Sequence, residues 1–361
     1  MKLLKMATLL SLCSSLMMTG TSVMAAEAKL DGISVEELAK KAKEEGKVES
    51  VGMPDTWANW VGTWTDLKEK NGIEHKDTDM SSAEELAIFE KEGKKATKDI
   101  GDVGQSYGPL AKEKGLTLPY KPSTWDSIPE WAKDEEGHWV VGYYGTISFM
   151  VNKDKVKEVP KTWDDLLKGK YKVTIGDVST ATQAQNAVLS AALAKGGDET
   201  NIKPGLEIFA KLQEQGRLDL GDSSLQRLEA GEIEVAIMWD FNALNYRDQV
   251  TKSNKNAQYE VLIPADGAIQ SGYATVINKN APHPYAAAMA REYILSDQGQ
   301  INLAKGYAKP IRSDVKLPED IAKKLLPEEQ YKKARPIKDY KAWEKTANTM
   351  GEVWQEEVLS N

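Results

Sequence analysis

The stretch from Val261 to Ser313 limits the possible folds of this chain more than any other. Val261-Leu262-Ile263 reads as an apolar strand stopped by Pro264, which has no amide to give to a sheet ladder. Ala265 to Gly272 is a small, glycine-containing connector, and Tyr273 to Asn278 is a second strand. Ala281-Pro282-His283-Pro284 then opens a long alanine-rich helix. The reading is a chain that leaves one lobe here and returns to another, with a ligand beside the crossing.

The rest of the sequence alternates strand, polar loop and helix, which predicts an α/β fold with a largely parallel sheet. Ser34 and Glu37 form a capping box, Val48–Met53 is a strand, and a Trp-rich helix runs from Trp57 to Lys70. Ile73–Asp77 is the next strand. Asp79-Met80-Ser81-Ser82, with Glu84 and Glu85, caps the helix Ala83–Lys91, and Ile100–Val103 is a brief apolar segment. His138–Tyr144 and Ile147–Asn152 read as two strands separated by Gly145-Thr146, with the outbound crossing at Gly145–Asn152. Beyond it the alternation restarts with a cap at Thr162, a strand Tyr171–Ile175, a helix Ala181–Lys195 and a buried strand Glu234–Met238. The expected division is lobe 1 at 27–145 and 267–315, lobe 2 at 146–266, and a helical tail, 316–361, packing across both.

Five strands end in a loop carrying a short polar or acidic side chain: Asp55, Asp79, Gln105, Asp177 and Asp240. In open α/β sheets the ligand crevice lies at the carboxyl ends of the strands. Singly, each is explained as a helix cap, as Asp79 and Ser81 are; as a set they outline a cleft between lobes. Aromatic residues mark the same places: Trp57, Tyr107 and Trp239. An indole face beside a carboxylate, as in Trp239-Asp240, is what an ammonium group needs. An anion would instead call for Arg or Lys at the strand ends, and Arg247 lies further along. Against that stand Ser179, Thr180 and Thr182 at a helix start, where hydroxyls and free amides can hold a phosphate or carboxylate.

Residues 1–26 form a segment apart. Lys2 and Lys5 precede the apolar run Met6–Met18, and small residues follow to Ala25-Ala26. This is the pattern of a cleaved secretory signal. The one cysteine, Cys13, falls inside it, after Leu10-Ser11-Leu12, which lacks the small residue expected before a lipidated cysteine. The expected mature protein is exported, periplasmic, and without thiol, disulfide or lipid anchor. The full chain's formal charge of −8, about −10 once Lys2 and Lys5 are gone, argues against nucleic acid and anionic membrane surfaces as partners and mildly favours cationic ligands. No nucleophile elbow, phosphate loop or zinc spacing is present, and His75, His138 and His283 are scattered. A binding protein with no metal or cofactor is therefore the first reading. A secreted hydrolase with paired carboxylates is the second.

From Glu49 to Ser313 the chain resembles the type II periplasmic solute-binding proteins of ABC importers, in the branch that includes polyamine, ferric-ion and phosphonate binders. The resemblance rests on Asp79 to Leu86, Gly101 to Gly104, Gly145 to Val156, Ala281 to Tyr285, Ser296 to Gln300 and Gly306 to Pro310. It implies an α/β protein of two lobes joined by hinge strands, closing on a small solute and docking as a monomer on an inner-membrane permease. Ferric binders of the family carry a Tyr-Tyr pair after the strand matched by Glu234–Met238. This sequence has Trp239-Asp240-Phe241-Asn242 there, closer to the Trp and acidic residues of polyamine binders. The expected ligand set is Asp55, Trp57, Asp79, Ser81, Gln105 and Tyr107 from one lobe. Asp177, Ser179, Thr180, Trp239, Asp240 and Asn242 come from the other, with Tyr273 and Tyr307 nearby. Gly145, Thr146, Gly267 and Gly272 are the expected hinge.

Overall fold

The computed structural model describes residues 28–360; the expected secretory signal, with Cys13, lies outside them. Eleven strands form in chain order: β1 (Lys47–Val51), β2 (Glu74–Thr78), β3 (Ile100–Gly104), β4 (Trp139–Asn152), β5 (Val173–Thr174), β6 (Leu218–Asp219), β7 (Val235–Trp239), β8 (Tyr259–Leu262), β9 (Ile269–Ile277), β10 (Lys309–Pro310) and β11 (Arg335–Pro336). They run in the order β2-β1-β3-β9-β4-β7-β5-β6. β1 is parallel to β2 and β3, and β5 is parallel to β6 and β7, so each lobe has its own parallel segment. Helices cover both segments, giving the two-lobe α/β architecture.

The capping signals act as physical chemistry requires. Ser34 Oγ accepts from the Glu37 amide at 3.2 Å, and Thr162 Oγ1 accepts from the Asp165 amide at 3.1 Å. The Ser81 amide and hydroxyl both donate to the Glu84 carboxylate, at 2.8 and 2.7 Å. Each satisfies donors that a helix start otherwise leaves open. Among the described residues no helix is long and apolar enough to cross a membrane.

The joint between the lobes departs from expectation. His138–Tyr144 and Ile147–Asn152 are not two strands but one, β4, which belongs to both sheets. Its first half, through Thr146, pairs with β9; from Ile147 onward it pairs with β7. The ladder passes to a new partner without a gap, so no turn is needed at Gly145-Thr146. Gly145 is required for a different reason: a Cβ there would meet the Phe241 ring at 2.6 Å. The return strand is also longer than read. β9 starts at Ile269, and Gln270–Gly272 pair with Thr146–Tyr144. Gly272 therefore sits within the paired joint. Gly267 (φ 67°) is pinned on the second lobe, where its carbonyl accepts from Ser190 Oγ at 2.8 Å.

Two short strands flank the joint: β10, before the tail, pairs with Tyr143–Tyr144 of β4, and β11, in the tail, pairs with Ile269–Gln270 of β9. Arg335 then forms an ion pair with Glu199 at 2.7 Å, and Trp354 packs on Phe209 with ring centres 5.3 Å apart.

Candidate ligand-binding cleft

The carboxyl ends of β1, β2 and β3 face the start of the helix Thr182–Ala194 and the helix Asp240–Ser253 across a cavity of about 350 Å³. Its walls carry Thr56, Trp57, Asp79, Ser81, Glu85, Asp102, Thr182, Gln183, Tyr246 and Tyr273. Among the described residues no Lys or Arg lines it. The lobes are closed on it. Thr182 Oγ1 donates to Ser82 Oγ at 3.3 Å, Asn245 donates to the Thr56 carbonyl, and the Tyr307 hydroxyl donates to Asp248.

Two carboxyls form the floor. Glu85 is 1% exposed and Asp102 2%. Glu85 Oε2 accepts the Asp102 amide at 2.9 Å, and Asp102 Oδ2 accepts the Tyr143 hydroxyl at 2.6 Å. Asp102 Oδ1 is buried and has no partner. The Glu85 carboxyl fits only because Gly52 and Gly101 lack side chains: a Cβ on either would overlap it. Burial, and then the neighbouring Asp102, push the Glu85 carboxyl well above its ordinary range. Burial does the same to Asp102 against the opposing pull of its bond from Tyr143.

Aromatic residues make the walls. Trp57 stands edge-on to Phe241 and Tyr273, with ring centres 5.2 and 5.6 Å away, and its Nε1 donates to the Tyr143 hydroxyl at 2.7 Å. Tyr273 stacks on Tyr143 and accepts from Trp239 Nε1 at 3.0 Å. Burial pushes the Tyr273 phenol far up, so it stays protonated.

The expected residues divide accordingly. Trp57, Asp79, Ser81 and Tyr273 line the cavity, and Ser81 does so while capping its helix. Asp55 is exposed outside it. Gln105 is buried beneath it, donating to the Trp131 carbonyl at 2.9 Å. Tyr107 lines a different groove, with Leu86, Ser179 and Ala347. Asp177 accepts from the Ser179 amide and the Thr180 hydroxyl, both at 2.8 Å, so these groups close on one another. Asn242 is buried, with its amide 3.4 Å from Gln183. Tyr307 (φ 69°) ties the lobes through Asp248 outside the cavity.

The pairing Trp239-Asp240 is corrected. Trp239 is fully buried and reaches the cleft only through its bond to Tyr273. Asp240 is 1% exposed and both its oxygens are taken, one by the Thr146 amide at 2.8 Å and one by the Tyr331 hydroxyl at 2.6 Å. It holds the joint and the tail together and leaves no oxygen for a solute.

Residues 96–345 match the model of the bacterial extracellular solute-binding proteins. The chain belongs to that family. No curated protein sequence matches it. Among solved structures, this solute-binding protein is similar to AgtB from A. tumefaciens R10 in complex with agropinic acid, with 16% identity and a TM-score of 0.70 over 87% of this chain and 99% of that one. It is similar to AfuA from Actinobacillus pleuropneumoniae with bound fructose-6-phosphate, with 19% identity and a TM-score of 0.67 over 87% and 98%. It is also similar to iron-bound HitA from Pseudomonas aeruginosa, with 16% identity and a TM-score of 0.66 over 85% and 99%. At these identities the likeness is one of fold, the two-lobe type II periplasmic binding protein.

Closure of a solute-binding protein depends on close approach of the lobes, and here it depends on Gly104. A Cβ at that position would run into the Thr182 side chain across the cleft. Gly104→Ala is expected to favour the open form and to weaken solute affinity roughly tenfold, the size of an ordinary coupling between conformation and binding. Small-angle scattering should show a larger radius of gyration. An unchanged radius and affinity would remove this contact from the closure.

Proposed function

We propose that this solute-binding protein captures a small organic cation of the polyamine class and delivers it to the permease of an ABC importer. The observation that carries the reading is the cleft floor: two buried carboxyls lining the cavity, one with an oxygen that has no hydrogen-bond partner, and no cationic side chain in the lining to neutralise them. An ammonium group supplies that charge. Asp79 adds a third carboxylate at the wall, and Trp57, Tyr246 and Tyr273 offer ring surface to the methylene chain and its charge. Such cation–ring contacts are worth about 0.5–2 kcal/mol.

The other solute classes fit less well. A phosphate ester would need donors, yet the hydroxyls of Ser179 and Thr180 are spent on Asp177, whose negative charge opposes an anion, and that of Thr182 donates to Ser82 Oγ. The Tyr-Tyr pair expected of a ferric site is replaced here by Trp239-Asp240-Phe241-Asn242. Agropinic acid, fructose-6-phosphate and iron belong to the relatives named above. The hydrolase reading needs a carboxylate pair that water can reach, and Glu85 and Asp102 are almost wholly buried.

A thermal-shift panel of putrescine, spermidine, ferric citrate and fructose-6-phosphate tests the proposal. A ligand at 100 times its dissociation constant stabilises the folded state by about 2.7 kcal/mol. The diamines are expected to raise the melting point. A rise with the sugar phosphate or iron alone would overturn the cation reading.

A further inference from the structure

The floor has an electrostatic requirement of its own. The Glu85 carboxyl lies against Asp102: it accepts the Asp102 backbone amide, and the Asp102 carboxylate is near enough to act on its charge. The groups around them are of the wrong sign to help. Asp77 acts on both, Asp79 raises Glu85 further, and the remaining neighbours are the neutral phenols of Tyr143 and Tyr273. Two adjacent carboxyls excluded from water cannot both ionise without a counter-charge. Asp102 Oδ1 nevertheless has no hydrogen-bond partner, and both residues line the cavity.

We propose that Glu85 and Asp102 together hold a proton when the cleft is empty and release it when an ammonium group of the solute takes its place. This rests on the cation reading of the cleft and specifies how the cation is received. The exchange is balanced: one carboxyl O–H bond breaks, its proton goes to the buffer, and an N–H of the incoming ammonium donates to the new carboxylate. Solute binding is then a function of pH. A cation lowers the affinity of the floor for protons, so binding strengthens as pH rises, by up to tenfold per unit for each proton released. Acidification expels the solute.

The same proton bears on the empty protein. A carboxyl raised by folding stabilises the folded state fully below its unfolded value, 4.5 for Glu85, and loses that contribution as pH climbs through the raised folded value. Glu85→Gln keeps an oxygen to accept the Asp102 amide but cannot ionise. Its melting point relative to wild type is therefore expected to increase from pH 5 to pH 8 in the absence of solute.

Calorimetric titration with putrescine between pH 6 and 8, where both its amines stay charged, decides the matter. Run in two buffers of different ionisation enthalpy, it counts protons. About one released per putrescine in wild type, falling towards none in Glu85→Gln, is the expected result. Putrescine binding with no proton release and no pH slope would overturn the proposal while leaving the cation reading intact. No binding of putrescine or spermidine at any pH would overturn the cation reading, and this inference with it. Should Glu85→Gln fail to fold, the proton count and pH slope of wild type still decide.

Discussion

Asp102→Asn is expected to weaken putrescine binding roughly 10- to 100-fold, the worth of a hydrogen bond to a charged group. The change is nearly isosteric, and Asn retains an oxygen to accept the Tyr143 hydroxyl, which now stands 2.6 Å from Asp102 Oδ2. What it removes is the charge beside a buried floor oxygen that has no partner. Because the variant also removes a buried ionisable group, the empty protein should be as stable as wild type or slightly more so. Affinity measured by calorimetry and stability measured by urea denaturation will therefore move independently. Unchanged affinity would place the solute away from the floor.

Asp240→Ala should behave in the opposite way. Its carboxyl joins the Thr146 amide of the shared strand to the Tyr331 hydroxyl of the tail, in a site where Lys309 lies over the Tyr331 ring at 3.2 Å. Removing one member of a buried polar network leaves the others unpaired, at a cost of about 3–5 kcal/mol. The urea midpoint is expected to fall sharply, while putrescine affinity, measured well below that midpoint, stays within about threefold of wild type, the limit set by the change in joint geometry alone. A variant of normal stability that no longer binds would return Asp240 to the cleft.

These two aspartates show what was legible in the sequence. Caps such as Ser34, Ser81 and Thr162 declare themselves through local spacing, so the alternation of helix and strand could be read directly. The crossing region was legible only in part: β8 and its proline stop are local signals, but β9 begins at Ile269, inside the expected connector, because its pairing with β4 is a long-range contact. Site membership is a long-range property. Asp240 follows a buried strand and precedes a helix, as cleft residues do, yet a tail residue 91 positions later covers it. Glu85 read as half of a capping box with Glu84, but only Glu84 caps. The room that draws Glu85 inward comes from Gly52 and Gly101, on two other strands. Asp102 did leave a trace, since a carboxylate inside the apolar segment Ile100–Val103 conflicts with ordinary burial and calls for a reason.

β4 has a mechanical meaning beyond its place in the fold. A strand hydrogen-bonded along its whole length, first to one sheet and then to the other, behaves as a leaf spring rather than a loose tether. It can bend and twist at Thr146–Ile147, but it does not let the lobes wander. The search that precedes capture is thereby reduced to nearly one coordinate. The floor carboxyls on one side and Thr182 and Gln183 on the other are thus held to one register across the cleft.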